Sequence, residues 1–233
     1  MSKAITKPTF ASMREAKPCT VNVSRHKVSA LWLLPPKANG ALVFAHGAGA
    51  DMRHTFMQTV SQHLAAEGIA TLRVNFPYME KRKRSPDPKP VLVETIRAAV
   101  AEAQRLTKLP LFLGGKSLGG RMASWAVAEG LDGVKGLVFF GFPLHAPGKV
   151  SSDRAEHLKT IKVPMLFLQG TRDSLADLDS IRKVCKGLGK LATLEIIEGG
   201  DHSFRVPARL EVSNEEVVKD LGSRTAGWVR GAI

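Results

Sequence analysis

Short apolar runs alternate with longer helical patterns along most of this chain, and the alternation limits its possible folds more than any other feature. Residues 41–45 (ALVFA) are wholly apolar, which is typical of a strand covered on both faces of a sheet. Strands are predicted at residues 20–23, 28–34, 41–45, 69–76, 111–113, 137–140, 165–168 and 192–197, the first two as a hairpin. Helices are predicted at residues 54–67, 91–106, 117–129, 178–188 and 211–229, with a short one at 153–158 and a loop at 77–90. The alternation therefore predicts an α/β fold: a doubly wound, mostly parallel sheet with helices on both faces.

The length and composition favour one soluble domain. The 233 residues fit an N-terminal arm at residues 1–17 and a single domain at residues 18–233. Hydrophobic residues make up 44% and charged residues 24%, which excludes a disordered chain and a coiled coil. No stretch without Asp, Glu, Lys or Arg exceeds 13 residues, whereas a membrane-spanning helix needs about 18 or more apolar residues. The first residues also lack the apolar core of a secretory signal, so we expect a cytoplasmic protein.

Two further features of the composition bear on cofactors and partners. Cys19 and Cys185 have no metal-binding or redox spacing, so we expect two free thiols and no metal or organic cofactor. Of the net charge of +13, most lies in residues 1–116, which hold 18 Lys and Arg against 7 Asp and Glu. The densest basic run, residues 81–84, has no interleaved aromatic residues and matches no nucleic-acid motif. We therefore expect a solvated basic face rather than a nucleic-acid site, with an acidic ligand as the alternative.

A serine lies in a glycine-rich turn between a predicted strand and a predicted helix. Residues 115–119 read Gly-Lys-Ser-Leu-Gly, a G-x-S-x-G pattern that follows the strand at 111–113. A turn this sharp strains the serine backbone, and side chains two residues away on either side would collide. The hydroxyl of Ser117 is then exposed at a helix N-terminus, where negative charge is stabilised. Ser117 is the candidate nucleophile.

A second turn, His46-Gly47-Ala48-Gly49, directly follows the wholly apolar strand. Its small residues let the backbone approach a bound group closely. Acyl transfer places negative charge on a carbonyl oxygen, which two backbone N–H groups can stabilise. The predicted donors of this oxyanion hole are the N–H groups of Ala48 and Leu118. His46 is expected to join neighbouring loops rather than to transfer protons.

A serine nucleophile needs a base, and the base needs an orienting carboxylate. Asp173 and His202 each lie in a loop directly after a late predicted strand. In a parallel sheet these loops open on the same edge as the turn that holds Ser117. The alternatives for the base are His26, His54, His63, His145 and His157, none of which follows a late strand in a turn. The alternatives for the acid are Asp177, Asp179 and Asp201.

The segments HGAGADM, GGKSLGGRMAS, GFPLHAPGK, LFLQGTRD and GGDHSF resemble those of the α/β-hydrolases over about residues 18–230. The chain is most similar to a compact branch that includes the testis-expressed hydrolase-like proteins, and more distantly to dienelactone hydrolases and small carboxylesterases. The resemblance implies a catalytic triad of Ser117, Asp173 and His202. It implies no particular substrate, and some similar proteins are subunits of larger complexes.

The loops give the remaining expectations about the substrate. The stretch at residues 141–152 is too short for a lid domain, which favours a small soluble ester or thioester. Candidate substrate-binding residues are Tyr78, Lys116, Arg121 and His145. The two cations among them suggest an acidic or phosphorylated acyl substrate. The sequence thus predicts a carboxylesterase-like serine hydrolase, and the alternative is a non-catalytic binding or scaffold module of the same fold.

Overall fold

The fold is built around one eight-stranded sheet, seen in a computed structural model that describes residues 15–24, 26–146, 148 and 151–233. The strands are β1 (Lys17–Val23), β2 (His26–Leu33), β3 (Gly40–Ala45), β4 (Ile69–Val74), β5 (Leu111–Lys116), β6 (Leu137–Phe140), β7 (Met165–Gly170) and β8 (Ala192–Ile197). Their order across the sheet is β1-β2-β4-β3-β5-β6-β7-β8. Strands β1 and β2 form the predicted antiparallel hairpin, β2 also pairs antiparallel with β4, and all other pairs are parallel. The predicted fold class is confirmed.

Helices cover both faces of the sheet. They are α1 (Thr55–Ala66), α2 (Pro77–Glu80), α3 (Lys89–Leu106), α4 (Leu118–Ala128), α5 (Leu178–Leu188) and α6 (Asn214–Gly231), and 3-10 segments occur at Asp153–Thr160, Gly189–Leu191 and Ala208–Leu210. Strand β3 is buried throughout, and its side chains alternate between two cores. Leu42 and Phe44 belong to the core that includes residues of α1 and α6, whereas Ala41 and Val43 belong to the core that includes residues of α3, α4 and α5. Because both faces are covered, the central strands read as continuous apolar runs.

The segment at residues 77–90 departs from the loop that the sequence predicted. Pro77 opens the short helix α2, and α3 begins at Lys89, two residues before the predicted start. Proline suits a first helical turn because its fixed φ is already helical and the N–H group it lacks would have no partner there. The basic run at residues 81–84 lies between these helices and is exposed.

Residues 1–14 of the predicted N-terminal arm lie outside the described residues, and β1 begins at Lys17. In the described part of the stretch between β6 and β7, the structure shows the 3-10 segment Asp153–Thr160 and no lid. No helix in the described part of the chain is long and apolar enough to cross a membrane. Neither Cys19 nor Cys185 forms a disulfide.

The central strands β5 and β6 approach so closely at Gly114 that a side chain has no room. A Cβ atom on Gly114 would lie 2.0 Å from the carbonyl oxygen of Val138. We therefore expect Gly114→Ala to lower the free energy of unfolding by more than about 2 kcal/mol, because the two strands must separate. Gly187→Ala is the control, since Gly187 lies on the exposed side of α5 with open space around it. Urea denaturation of both variants measures the effect, and equal stabilities would contradict the packing described here.

Candidate active site

Ser117 lies in a sharp turn between β5 and α4, with the strained backbone that the sequence predicts. Its φ is 49° and its ψ is −109°, in a region that L-residues rarely adopt. The N–H of Ser117 donates to the carbonyl of Phe140 (3.2 Å), which ties the turn to the end of β6. The strained backbone is therefore held by the neighbouring strand.

Two glycines flank the serine because the turn packs directly on another backbone. A Cβ atom on Gly115 would lie 2.4 Å from the carbonyl oxygen of Ala45, and one on Gly119 would lie 2.3 Å from the same oxygen. Ala45 is the last residue of β3. The turn that holds Ser117 thus packs against the end of β3, next to the His46–Gly49 turn.

The structure brings Ser117, His202 and Asp173 into one chain of hydrogen bonds. Nε2 of His202 lies 2.9 Å from Oγ of Ser117, and Nδ1 lies 2.8 Å from Oδ2 and 2.9 Å from Oδ1 of Asp173. Because an ionised carboxylate only accepts, Nδ1–H donates to Asp173. Nε2 then accepts the hydroxyl proton of Ser117. This arrangement can withdraw a proton from the serine.

The carboxylate of Asp173 is held from three sides. It accepts hydrogen bonds from the side-chain amide of Gln169 (2.6 Å) and from the N–H of Leu175 (2.8 Å), besides that from His202. Its side chain is 1% exposed, whereas that of His202 is 22% exposed. The acid is therefore fixed inside the protein, and the imidazole reaches the surface of the site.

The residues on either side of His202 fix the conformation of the loop that carries it. The side chain of Asp201 accepts from the N–H groups of Ser203 (2.7 Å) and Arg205 (2.8 Å), so it stabilises the loop that carries His202. Phe204 has a φ of 62°, is buried, and stacks on Phe56 of α1 with the ring centroids 5.9 Å apart. These contacts fix the position of His202 relative to Ser117.

His46 braces the turn that carries one predicted oxyanion-hole donor. It is fully buried, its Nε2 accepts from the N–H of Phe76 (3.1 Å), and its Nδ1 lies 2.8 Å from the carbonyl of Gly47. Nδ1 therefore carries the proton, and burial lowers the pKa of His46, which keeps the ring neutral. Ala48 lies in this turn beside the cavity, and Leu118 is the first residue of α4, so its N–H has no partner within the helix.

A cavity of about 900 Å³ opens beside Ser117 and His202. Its wall is mostly apolar, with polar groups from α1, α6 and the His202 loop. The residues that line it are Gly47, Ala48, Ala50, His54, Thr55, Phe56, Met57, Thr59, Gln62, Lys116, Ser117, Leu175, His202, Ser203, Phe204, Arg205, Asn214, Glu215 and Val218. The nucleophile and the base therefore face a space large enough for a small organic molecule.

Three of the four predicted substrate-binding residues do not line this cavity. Tyr78 is fully buried because the helix α2 turns its ring inward against His46 (centroids 5.8 Å apart), and burial raises its pKa to about 12. His145 is buried with Nδ1 3.0 Å from the carbonyl of Ala146, and Arg121 lies on α4 away from the cavity. The exposed basic run at residues 81–84 does not reach the cavity either. Most of the cations that suggested an acidic substrate therefore lie outside this cavity.

Lys116 borders the cavity, but its amine is turned away from it. The nitrogen Nζ is fully buried and has no hydrogen-bond partner among the described residues. A methyl group built on Gly141 would lie 3.1 Å from Nζ and 3.5 Å from both Oδ2 of Asp173 and Nδ1 of His202. Burial lowers the pKa of Lys116 to about 8, while the carboxylates of Asp173 and Asp201 act in the opposite direction. A buried cation therefore lies beneath the Asp173–His202 pair.

Two residues at the site were not singled out from the sequence. Gln169 is a polar residue in the otherwise apolar strand β7, and its amide joins Asp173 to the N–H of Phe142. Gly141 has a φ of 70° and sits where Lys116, Asp173 and His202 converge. Gln169 could have been identified from the sequence, because it is a glutamine within a buried strand and lies four residues before Asp173.

Comparison with known proteins bears on this arrangement. A model of the alpha/beta hydrolase domain family matches residues 38–230. A dienelactone hydrolase from Anabaena variabilis is similar in structure, with a TM-score of 0.74, 21% identity, and coverage of 94% of this chain and 99% of that chain. The esterase domain of a Rhodothermus marinus protein is similar with a TM-score of 0.72 and 18% identity, and the match covers 93% of this chain and 98% of that chain. An α/β serine hydrolase without lid from Xanthomonas campestris is similar with a TM-score of 0.69 and 21% identity, and the match covers 91% of this chain and 94% of that chain. At these identities the similar structures establish the fold.

The convergence on Gly141 leads to a prediction about the Asp173–His202 hydrogen bond. In Gly141→Ala the added methyl group lies 3.1 Å from Nζ of Lys116, so the end of that side chain must shift, while the 3.5 Å distances to Oδ2 of Asp173 and Nδ1 of His202 are ordinary contacts. We expect a shift of the downfield proton resonance of the His202 ring, because the Lys116 amine moves relative to the Asp173–His202 pair. Gly130→Ala is the control, because Gly130 has a φ of 88° with nothing within 4 Å. It carries the same backbone strain of about 1–2 kcal/mol but should leave the resonance in place. An unchanged resonance in Gly141→Ala would contradict the geometry.

The burial of Lys116 predicts a change of stability with pH. Below about pH 8 the folded state bears the full cost of a buried ammonium, and the cost disappears as the pH rises towards 10.5, where the unfolded state also loses its proton. Lys116→Met should therefore be more stable than the wild type by about 3 kcal/mol at pH 7. The difference should shrink between pH 8 and 10.5. Denaturation at several pH values measures it, with the exposed Lys190→Met as a pH-independent control. A stability difference that does not change with pH would show that burial of the Lys116 ammonium does not destabilise the folded state.

Proposed function

The chain belongs to the alpha/beta hydrolase domain family, and on that premise we propose that it is a serine hydrolase acting on esters. The observation that carries the proposal is the chain of hydrogen bonds from Ser117 through His202 to Asp173, beside a cavity of about 900 Å³. A non-catalytic scaffold protein would need no such series of hydrogen bonds. The narrower resemblance to the testis-expressed hydrolase-like proteins stays a prediction.

The proposed reaction proceeds in two half-reactions. Oγ of Ser117 attacks the carbonyl carbon of the ester while Nε2 of His202 takes its proton, and Asp173 stabilises the resulting imidazolium. The N–H groups of Ala48 and Leu118 hold the negative carbonyl oxygen. His202 returns the proton to the departing alcohol, which leaves an acyl group on Ser117. Water, activated by His202 in the same way, then releases the acid and restores the serine.

The cavity favours a small soluble ester or thioester with an uncharged, apolar body. Phe56, Met57, Leu175, Phe204 and Val218 supply most of its apolar wall. Arg205 and Glu215 line it together, so its charged groups do not favour an acidic substrate by themselves. The absence of a lid from the described residues between β6 and β7 supports access from solution.

A fluorophosphonate probe tests the proposal, because it reacts only with an activated serine beside a formed oxyanion hole. We expect labelling of the wild type and none of Ser117→Ala, with the rate of labelling at least about 100-fold lower in His202→Ala and Asp173→Asn. Hydrolysis of p-nitrophenyl acetate should fall in the same order. Ser124→Ala is the control serine variant, since Ser124 is buried in α4 away from the cavity. Labelling that persists in Ser117→Ala would assign a different nucleophile. Folded wild-type protein that takes no label would favour the binding-module alternative.

A further inference from the structure

The amine of Lys116 is enclosed by groups from several strands rather than by a single partner. Gly141 follows β6, Asp173 follows β7, and Asp201 and His202 follow β8. The ring of Phe204 closes one side, with its centroid 5.5 Å from Nζ. Since Nζ is fully buried, a substrate in the cavity cannot reach it without rearrangement. The predicted role of Lys116 as a substrate ligand is therefore not supported.

The distance between the amine and the imidazole is bounded by the geometry at Gly141. A point 3.1 Å from Nζ and 3.5 Å from Nδ1 of His202 places the two nitrogens within about 6.6 Å of each other. The same bound holds for Oδ2 of Asp173. Nζ nevertheless forms no hydrogen bond with the carboxylate, which accepts from Gln169, Leu175 and His202 instead. Lys116 thus acts on the pair through its field and does not compete for its hydrogen bonds.

A cation in that position has a definite electrostatic effect. The carboxylate of Asp173 favours a positive charge on His202, which would occupy Nε2 with a second proton and block its use as a base. The buried ammonium opposes that protonation. With the pKa of Lys116 lowered to about 8, the amine is mostly charged at neutral and acidic pH.

We propose that Lys116 is a positioning residue of this hydrolase, whose buried ammonium offsets the Asp173 carboxylate and so opposes the addition of a second proton to His202. The role rests on the proposed function, because it concerns the base of that reaction. It also accounts for a charge that the fold otherwise buries at a cost. Among the described residues, the other ionisable groups that line the cavity with His202 are His54, Arg205 and Glu215, and Arg205 is exposed to solvent, which screens it.

The direct test is an NMR titration of the His202 ring in the wild type and in Lys116→Met. We expect the midpoint of protonation to lie about one to two pH units higher in Lys116→Met, since a unit charge no more than about 6.6 Å away is removed from a poorly solvated site. Arg205→Met is the matched control, because it removes one positive charge close to His202 from an exposed position. Its midpoint should move by less than about 0.3 unit. Equal midpoints in the wild type and Lys116→Met would overturn the proposal, and so would equal shifts in the two variants.

The rate of fluorophosphonate labelling against pH supplies the functional readout. We expect the acid-side half-maximum to move upward in Lys116→Met by the same amount, with the plateau rate changed by less than about fivefold. A rate that falls equally at every pH, with no movement of the half-maximum, would mean a merely structural role and would overturn the proposal. If the wild type takes no label at Ser117, the proposed function fails, while the NMR titration still decides the effect of Lys116 on His202. Misfolding does not confuse the test, because Lys116→Met is expected to be the more stable protein.

Discussion

The close contact between the turn at Ser117 and the end of β3 is the constraint on which the rest of the site depends. The carbonyl of Ala45 lies where any Cβ atom on Gly115 or Gly119 would have to be. This contact, and not a side chain, sets the separation between Ser117 and the turn that carries Ala48. An oxyanion hole needs two N–H groups at a fixed separation, and backbone packed against backbone supplies a rigid one. The absence of side chains at these positions is thus a structural requirement.

The site also contains two buried, oppositely charged side chains that are not hydrogen-bonded to each other. Lys116 and Asp173 are both buried, yet no hydrogen bond joins them, and the carboxylate accepts from Gln169, Leu175 and His202 instead. A hydrogen bond between them would offset part of the cost of burying the ammonium. The fold therefore keeps a separated pair of charges and accepts a lower stability, as functional sites often do.

How much the sequence predicted follows from what each residue depends on. The positions of strands and loops along the chain follow from the apolar pattern, so the loops that hold Ser117, Asp173 and His202 could be placed on one edge of a mostly parallel sheet, although the order of the strands across the sheet was not predicted. Side-chain direction does not follow from that pattern. Tyr78 turns inward because residues 77–80 form a helical turn, and the amine of Lys116 lies beneath the acid–base pair. Gln169 acts through hydrogen bonds with Phe142, which follows β6, and with Asp173, which follows β7, and only the tertiary structure brings these residues together.

The base comes from the margin of the sheet, whereas the nucleophile comes from its centre. His202 follows β8, which is half-exposed along most of its length and forms one edge of the sheet in the described part of the chain, while Ser117 follows β5, which has a strand on either side. Edge strands exchange their amide hydrogens and open more readily than central ones. Local fraying of β8 would release His202 while the core around Ser117 stayed folded. Thermal inactivation should therefore precede global unfolding, and a measured melting temperature would overstate the temperature range in which the base remains in place.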